Sequence, residues 1–529
     1  MKKKIKGIIL AAFFAVILLT SAASVGLPRL KPPPESEKAT VTGTPMDNFP
    51  DAQRAQFCGS EQAKSNTYIR EYQVPTKCTQ PLAITTDPAG NVWFAQVNTG
   101  KIAKFDPKTE LFTEYENPEW PPNARSMMWG ISYSPDDSLW FTDESHDLVW
   151  KFSIADGKYQ KRGFPTDGNS LPQRLKILGS QIIINDFTGN KMTFLDPASQ
   201  PSGETAYRIA PSPLDSSFTG AFTVDKDENI WYTNWQFKEG GILIKFDQKS
   251  YFAASASADK STGLPLLDYI KEFQLPGMNA PNGISAANDG KIWITDTSSS
   301  FFYSFDPSSK NFTKYVTTKP EIASYGNTTG LIKTPVSGPY WNDFDQKNRL
   351  VFNEQSANRI GLFDPATESL VEYNVPSRNP NWADCSGLDD CGLAQVFDFT
   401  IQNEKIWFTE WAENNIAVLD TSIPLPFKLE IDQPEIVLKK GETIDLSLKI
   451  IPSGSSEKVS LISSNTAQFS DIMVGYDKAE QEISGSDPVS IPVTVEANDS
   501  ALSGTYKVLL GVHNDKISVS QFVTVTIEK

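Results

Sequence analysis

Short runs of apolar residues recur along the chain, and Gly, Pro, Asn and Asp residues separate them. One unit begins with apolar residues at 81–84, continues in the run Val92-Trp-Phe-Ala-Gln96, then in residues 101–106, and ends at 112–115. Runs of this length between turn residues are typical of β-strands. The unit therefore predicts four strands joined by three turns, which is one blade of a β-propeller.

The second strand of this unit is the clearest part of a repeat. Each copy is an apolar run that ends in a polar residue, and its Trp and Phe residues are expected to pack between adjacent blades. The seven copies are residues 92–96, 139–143, 182–186, 230–234, 292–296, 350–354 and 406–410. Longer spacings late in the chain predict loop insertions at 249–265 and 378–392. Seven copies of a four-stranded unit predict an all-β, seven-bladed propeller.

The last unit lacks its fourth strand. After Asp420 the chain runs into Pro424 and Pro426, and no Thr-Glu-Tyr strand follows. The missing strand has a match at the other end, because residues 68–75 resemble residues 371–376. We therefore predict that the N-terminal strand completes the last blade and closes the ring. Closure removes a sheet edge that would otherwise invite aggregation.

The pattern changes from about Phe427 onward. Apolar and polar residues alternate over 443–450, 489–495 and 504–510, and a last run closes the chain. About seven short strands in roughly 100 residues favour an immunoglobulin-like β-sandwich. We expect the propeller to occupy residues 66–424 and the sandwich to follow at 427–529.

The N-terminus has the pattern of an export signal. Four lysines within the first six residues precede an uncharged apolar run. Residues 1–27 are predicted to be a signal peptide or a single N-terminal membrane anchor, and both place the rest of the chain outside the cytoplasm. Residues 28–65, rich in Pro, Ser, Glu and Lys, are predicted to form a flexible linker. The protein is expected to be extracellular, either secreted or anchored to the outer face of the cytoplasmic membrane.

The chain has four cysteines, and all lie in the predicted exported part. An even number of cysteines outside the cytoplasm favours disulfides. We predict the pairs Cys58–Cys78 and Cys385–Cys391. Metal ligation is the alternative, although no histidine lies near either pair.

The net charge of the chain restricts the classes of partner that it can bind. The formal net charge is −16 and the pI is about 4.8. Such a surface repels phosphate backbones, so we expect no nucleic-acid partner.

The polar residue that ends each second strand offers a candidate site. Propeller symmetry would place these residues around one mouth of the central channel, and oxygen ligands there could bind Mg²⁺ or Ca²⁺. The ring consists of Gln96, Asp143, Asp186, Asn234, Asp296, Glu354 and Glu410. Glu354 and Glu410 are the predicted metal ligands, since they lie on adjacent blades. In the alternative, each residue hydrogen-bonds turn backbone within its own blade.

Aromatic residues are predicted near the same mouth. An aromatic rim would suit a small molecule, a glycan or a protein ligand, and core packing is the alternative. The predicted rim residues are Trp129, Trp235, Tyr340, Trp341 and Trp411.

Three segments look like the streptogramin lyase family, known from virginiamycin B lyase. They are residues 90–96 (Gly-Asn-Val-Trp-Phe-Ala-Gln), 359–365 (Arg-Ile-Gly-Leu-Phe-Asp-Pro) and 405–410 (Lys-Ile-Trp-Phe-Thr-Glu). The resemblance covers about residues 66–424 and implies a seven-bladed propeller. It also implies a Mg²⁺-dependent carbon–oxygen lyase with a histidine base and carboxylate metal ligands. Glu354 and Glu410 match the glutamate of the family pattern.

The histidine that the resemblance implies would fall just after the proline that opens a blade, fourteen residues before the glutamate of the Trp-Phe-Thr-Glu run, with the count one shorter in blade three. None of the matching positions is histidine: they are Leu82, Trp129, Gln173, Gly220, Asn282, Tyr340 and Val396. The chain contains two histidines, His146 in a predicted exposed loop and His513 in the predicted sandwich. A general base must ionise near neutral pH and reach the substrate.

These observations lead to one functional prediction with two alternatives. We expect an exported propeller that binds a ligand or a partner. The first alternative is a virginiamycin B lyase-like enzyme that acts on a cyclic ester or lactone. The second is a structural protein of the cell envelope that uses the propeller as an interaction platform.

Overall fold

The structure is a computed structural model. It describes residues 58–59, 62–166, 168–198, 207–237, 239–257, 266–326, 336–383, 385–454, 456–464 and 471–528. The predicted export segment at 1–27 and most of the predicted linker at 28–65 lie outside the described residues. Within the described residues, no helix is long and apolar enough to cross a membrane.

Residues 69–420 form seven four-stranded antiparallel sheets, of which the sixth continues into the C-terminal part of the chain. Their strands in chain order are β1 (Ile69–Gln73), β2 (Pro81–Thr86), β3 (Val92–Gln96), β4 (Lys101–Asp106), β5 (Leu111–Tyr115), β6 (Ile131–Ser134), β7 (Ser138–Asp143), β8 (Leu148–Ser153), β9 (Lys158–Gly163), β10 (Pro172–Leu178), β11 (Gln181–Asp186), β12 (Lys191–Leu195), β13 (Tyr207–Pro211), β14 (Phe218–Val224), β15 (Ile230–Gln236), β16 (Gly240–Phe246), β17 (Ile270–Gln274), β18 (Pro281–Ala286), β19 (Ile292–Asp296), β20 (Phe301–Asp306), β21 (Asn311–Val316), β22 (Pro339–Phe344), β23 (Leu350–Glu354), β24 (Arg359–Asp364), β25 (Ser369–Asn374), β26 (Val396–Gln402), β27 (Lys405–Glu410) and β28 (Asn415–Asp420).

The seven sheets are the blades of a propeller. Blades one to six are β2–β5, β6–β9, β10–β13, β14–β17, β18–β21 and β22–β25. Blade seven consists of β26, β27 and β28 with β1 as its outermost strand, and Tyr72 of β1 pairs with Ile416 of β28. The first strands of neighbouring blades contact one another around the whole ring. The predicted closure by the N-terminal strand is therefore confirmed.

The second strands are continuous apolar runs because neighbouring blades cover both of their faces. All five residues of β3 are buried, whereas the outer strand β5 is partly exposed. Trp93 of β3 lies between two blades, with its ring centroid 5.9 Å from Tyr115 and 6.1 Å from Phe152 of the next blade. Burying one such side chain stabilises the fold by about 1.5–3 kcal/mol. The predicted packing of aromatic residues between blades is confirmed.

Short helices occupy or border the two loops predicted as insertions, and one more lies in a loop for which no insertion was predicted. Helix α1 (Gln248–Ser257) and a 3₁₀ helix at Leu266–Tyr269 follow β16, while α2 (Ile322–Tyr325) and a 3₁₀ helix at Pro380–Trp382 lie around blade six. Helix α1 is held by its aromatic residues, because the Phe252 ring lies 4.8 Å from the ring of Phe194. Tertiary packing of this kind stabilises helices too short to persist alone.

Residues 427–527 form one further four-stranded sheet and five strands that extend the sheet of blade six, and these two layers enclose an apolar core. Their strands are β29 (Phe427–Ile431), β30 (Glu435–Leu438), β31 (Thr443–Pro452), β32 (Glu457–Ser463), β33 (Ile472–Tyr476), β34 (Glu480–Ile483), β35 (Val489–Ala497), β36 (Gly504–His513) and β37 (Ile517–Ile527). One sheet has the order β29-β31-β35-β33, and the other joins β37, β36, β32 and β34, with β30 parallel to β37. The immunoglobulin-like type of this part stays a prediction.

The C-terminal part is joined to the propeller by strand pairing. Strand β37 pairs with β25, the outer strand of blade six, and Val519 lies opposite Val371. Phe522 of β37 packs against the propeller, with its ring centroid 5.2 Å from Tyr315 and 5.8 Å from Phe363. One continuous sheet therefore runs from blade six into the C-terminal part, a connection for which the sequence offered no signal.

Candidate functional site

The seven residues of the predicted ring lie at equivalent positions of their blades, at or near the end of each second strand. In each of several blades the residue pairs with the first residue of the first strand, as Gln96 does with Pro81 and Glu354 with Pro339. All of them are at most 1% exposed, and the set is Gln96, Asp143, Asp186, Asn234, Asp296, Glu354 and Glu410. They therefore lie inside the blades, away from open solvent.

Backbone groups of the same blade satisfy several of these side chains. Asp186 accepts hydrogen bonds from the backbone N–H of Leu171 at 2.7 Å and of Gly189 at 2.9 Å. Asp296 accepts one from the backbone N–H of Ala280 at 2.9 Å. Asn234 accepts from the backbone N–H of Leu214 at 2.9 Å and donates to Asn190 Oδ1 of blade three at 3.0 Å, while Gln96 accepts from the hydroxyl of Thr79 at 2.9 Å. Apart from the bond to Asn190, these contacts are those of the alternative in which each residue holds the turns of its own blade.

Asp143 binds two ring N–H groups near the same turn. It accepts a hydrogen bond from Trp150 Nε1 at 2.9 Å, and His146 Nδ1 lies 2.9 Å from its Oδ1. The His146 side chain is 26% exposed, so part of the imidazole reaches the surface. Its predicted loop position is confirmed, and its carboxylate partner was not foreseen.

Glu354, one of the two predicted metal ligands, is paired with a buried arginine. Arg359 Nη2 lies 2.8 Å from Glu354 Oε2 and 3.4 Å from Glu372 Oε1. Burial raises the pKa of Glu354 to about 8, and the nearby Arg359 opposes this rise. A cation of the chain itself thus occupies one side of this carboxyl group.

Glu410, the second predicted ligand, lies beside another carboxyl group. It accepts a hydrogen bond from Asn415 Nδ2 at 3.0 Å and contacts Glu71 of strand β1. Burial, together with the negative charge of Glu71, raises the pKa of Glu410 well above its ordinary value. Glu71 in turn accepts the backbone N–H of Ser377 at 2.9 Å. The two carboxyl groups form a buried pair at the seam where the ring closes.

Glu354 and Glu410 have separate sets of partners. Among the described residues, no group of three or more His, Cys, Asp or Glu side chains is placed to hold a metal ion. Binding of Mg²⁺ or Ca²⁺ at these glutamates stays a prediction.

The five residues predicted to form an aromatic rim are buried, as in the alternative of core packing. All five side chains are at most 2% exposed, namely Trp129, Trp235, Tyr340, Trp341 and Trp411. Three of them meet around Phe397, whose ring centroid lies 6.0 Å from Trp129, 6.5 Å from Tyr340 and 5.7 Å from Trp411. Trp341 packs on Tyr340, with 4.1 Å between the ring centroids. Trp235 lies apart, 5.0 Å from Phe218. These side chains pack against one another because apolar rings gain more from mutual contact than from solvent.

The same cluster occupies the position of the histidine that the resemblance implies. Trp129 and Tyr340 are two of the matching residues, and Trp129 Nε1 donates to Glu144 Oε2 at 2.8 Å. Polar residues at other matching positions bond within the wall, as Asn282 Nδ2 does to Thr297 Oγ1 at 2.9 Å. This end of the channel is therefore filled by packed and hydrogen-bonded side chains.

A cavity of about 270 Å³ lies at the other end of the channel. The first strands of blades one, two, three, six and seven line it, and much of the lining is polar. Its polar residues are Thr85, Ser132, Arg174, Lys176, Asp343, Gln346, Asp398 and Thr400. We call it the channel cavity. The sequence carries no signal for this cavity, because first-strand residues share no motif and only the ring brings them together.

An ion pair crosses the channel at the inner end of this cavity. Arg174 Nη1 of blade three donates to Asp398 Oδ1 of blade seven at 2.6 Å. Asp398 Oδ2 also accepts the backbone N–H of Ile84 at 3.1 Å. Burial raises the pKa of Asp398, and the positive charge of Arg174 opposes that rise. Asp398 directly follows Phe397 in the chain, and Trp341 directly follows Tyr340. The Arg174–Asp398 ion pair therefore lies next to the aromatic cluster.

Both predicted disulfides are present. Cys58 is bonded to Cys78 and Cys385 to Cys391, with Cα–Cα distances of 5.1 Å and 5.6 Å. The first bond ties the segment before β1 to the loop that leads into blade one. The second closes the small loop between blades six and seven.

Comparison with known proteins identifies the fold. No protein-family model matches the chain, and no curated protein matches it. Among solved structures, it is similar to virginiamycin B lyase from Staphylococcus aureus, at 20% identity and a TM-score of 0.50, over 68% of this chain and 99% of the lyase. A streptogramin B lyase structure is 20% identical with a TM-score of 0.49, over 66% and 97% of the two chains. The extracellular domain of a putative one component system from B. thetaiotaomicron is 12% identical with a TM-score of 0.43, over 89% and 59%. The chain thus contains a streptogramin lyase-like propeller, and the likeness concerns the fold alone.

Proposed function

We propose that this chain is an exported propeller that binds a small ligand in its central channel. The observation that carries the proposal is the contrast between the two ends of the channel. Trp129 and Tyr340 fill the end where the family histidine would lie. The other end holds a polar cavity of about 270 Å³ lined by five blades. Ligand sites of propellers and barrels commonly lie in such mouths, where rigid strands present convergent polar groups.

Two further features support an extracellular binding protein. The two disulfides suit an oxidising compartment. The strand pairing between β25 and β37 would hold an immunoglobulin-like module rigidly on blade six. A rigid module of that kind suits a spacer or an adhesion unit at a cell surface.

A thermal-shift screen tests the binding proposal. The full chain is heated with single compounds from three sets: amino acids and dipeptides, monosaccharides, and simple organic acids and amines. Ligands of the channel cavity raise Tm because they bind only the folded state. Ser132→Trp fills the cavity with an indole and should abolish the shift. Circular dichroism confirms that the variant is folded. If no compound raises Tm in a way that Ser132→Trp removes, the proposal is wrong.

The fold likeness also supports the alternative, a Mg²⁺-dependent lyase that acts on a cyclic ester or lactone. Incubation with a streptogramin B and Mg²⁺, followed by mass spectrometry, tests it. An elimination that opens the ring leaves the mass unchanged, so chromatography must separate the linear product. We expect no linear product. Linear product that requires Mg²⁺ and disappears in Glu354→Gln or Glu410→Gln would replace the binding proposal with the lyase.

A further inference from the structure

The guanidinium of Arg174 is held in place before any ligand arrives. Nη1 donates to Asp398, and the guanidinium carbon lies 4.6 Å from the centroid of the Trp341 ring. The Arg174 backbone N–H donates to Asn185 Oδ1 at 2.8 Å, which fixes the strand at this point. A planar cation on an aromatic face with one carboxylate partner loses little freedom when it binds a second group.

Part of this guanidinium remains available to the cavity. Its side chain is 25% exposed, and within the described residues it forms one side-chain hydrogen bond, from Nη1. Arginine carries five N–H donors, and the bond to Asp398 uses one of them, so the guanidinium retains donors for a ligand. A carboxylate is the group that matches this fork, because two of its oxygens can accept parallel hydrogen bonds.

The other charged residues of the cavity balance one another. Lys176 of blade three and Asp343 of blade six both line the cavity, and they add one charge of each sign. Asp398 already offsets Arg174, so the lining as a whole is neutral but strongly charge-separated. Such a lining suits a ligand that carries both signs itself, and it repels neither end of it.

The volume of the channel cavity and the position of Trp341 restrict the class of ligand further. A volume of about 270 Å³ lies just below the usual range of sites for drug-sized ligands. The indole of Trp341 already carries the Arg174 guanidinium. It is therefore not free to stack on the apolar face of a sugar ring.

We propose that the channel cavity binds a small zwitterion of the amino-acid or dipeptide type. The carboxylate accepts hydrogen bonds from Arg174, with Lys176 adding positive charge, and the ammonium group lies toward Asp343. This inference rests on the proposed function and specifies the ligand class for the same site.

Titration calorimetry of the full chain tests the assignment. The probes are L-alanine and glycylglycine as zwitterions, acetate and ethylammonium as single-charge fragments, and glucose as a neutral control. We expect at least one zwitterion to bind at least tenfold more tightly than both fragments and glucose. Equal affinity for acetate and the zwitterions, or binding of glucose alone, contradicts the inference.

Three substitutions assign the two ends of the ligand. Arg174→Lys should weaken zwitterion binding roughly 10- to 100-fold, because a charge-assisted pair of hydrogen bonds is lost. Asp343→Asn should weaken zwitterion binding and leave acetate binding unchanged or stronger. Lys176→Gln should weaken both. Arg70→Lys, which alters an exposed guanidinium on the outer strand of blade seven, is the matched control and should change neither.

The outcomes separate this inference from the proposed function. If Arg174→Lys does not fold, Lys176→Gln and Asp343→Asn still decide the matter, since both side chains reach solvent. If the zwitterions fail while another compound binds in a way that Ser132→Trp removes, the ligand class is wrong and the binding proposal stands. If no compound binds at all, both are wrong.

Discussion

Arg359 Nη2 lies 2.8 Å from Glu354 Oε2, and both side chains are within 1% of full burial. Arg359 also binds Thr318, whose hydroxyl oxygen accepts from Nη1 at 2.6 Å, and it lies 3.4 Å from Glu372. One buried cation therefore holds two buried carboxyl groups on blade six. A network of this kind is costly to break because each remaining charge would be left in a medium of low dielectric constant.

Arg359→Met should destabilise the protein by about 3–5 kcal/mol, since it leaves Glu354 and Glu372 without their cation. Urea denaturation followed by tryptophan fluorescence measures the loss. Arg70→Met is the matched control, and it should cost at most about 1 kcal/mol because the Arg70–Glu110 pair is exposed. Adding Glu354→Gln to Arg359→Met should restore part of the stability. If Arg359→Met costs no more than Arg70→Met, the network does not stabilise blade six.

Glu410→Gln should make the protein more stable than the wild type at pH 8, and this gain in stability should be smaller at pH 5. The folded state raises the pKa of Glu410, so it favours the protonated form. The stability that this preference contributes is fully present below the pKa of the unfolded state, and it is lost as the pH rises through the pKa of the folded state. Glutamine mimics the protonated side chain at every pH, so the difference should grow with pH, by about 1.4 kcal/mol per unit of pKa shift.

Urea denaturation from pH 5 to pH 8 measures this difference. Glu239→Gln, at an exposed position of blade four, should show no such trend. A stability difference between Glu410→Gln and the wild type that stays constant over this range would contradict the raised pKa.

Ile69→Ala should destabilise the closure of the ring. Ile69 is 1% exposed and pairs with Leu419 across the seam of blade seven. Truncation of a buried isoleucine to alanine costs about 2–5 kcal/mol. Arg70→Ala, one residue along the same strand and facing solvent, should cost at most about 1 kcal/mol. Denaturation midpoints of the two variants, with limited proteolysis of the N-terminal strand, separate a loss at the seam from a general loss. Equal effects of the two changes would argue against the seam.

Phe522→Ala should loosen the C-terminal part from the propeller. Phe522 is 1% exposed and its ring packs edge-on against those of Tyr315 and Phe363 of the propeller. The substitution should cost about 3–5 kcal/mol. Because β25 and β37 share one sheet, we expect the wild type to unfold in one calorimetric transition and the variant in two.

Val437→Ala is the matched control for this prediction, because Val437 belongs to the same C-terminal part and is 59% exposed. It should leave one transition. Two transitions already in the wild type would show that the shared sheet does not couple the two parts.

The candidate site was harder to predict from the sequence than the fold. The polar residue at the end of each second strand was identified correctly as a repeated position, and the structure places Asp186 and Asp296 against backbone N–H groups of their own blades. The partner of Glu354 could not be foreseen in this role, although Arg359 is only five residues away. Whether such a pair faces a channel or the blade interior depends on how the strands twist.

The sequence alone determined the seven blades, the strand that closes the ring and the two disulfides. These features depend on local signals: apolar runs of strand length, turn residues between them, and a missing strand with its match at the other terminus. The tertiary structure alone decided that Arg174 meets Asp398 across the channel and that β37 extends blade six. These contacts join residues 224 positions apart in one case and different parts of the chain in the other. The physical reason is that a strand pattern specifies which residues alternate, whereas the ring specifies which of them meet.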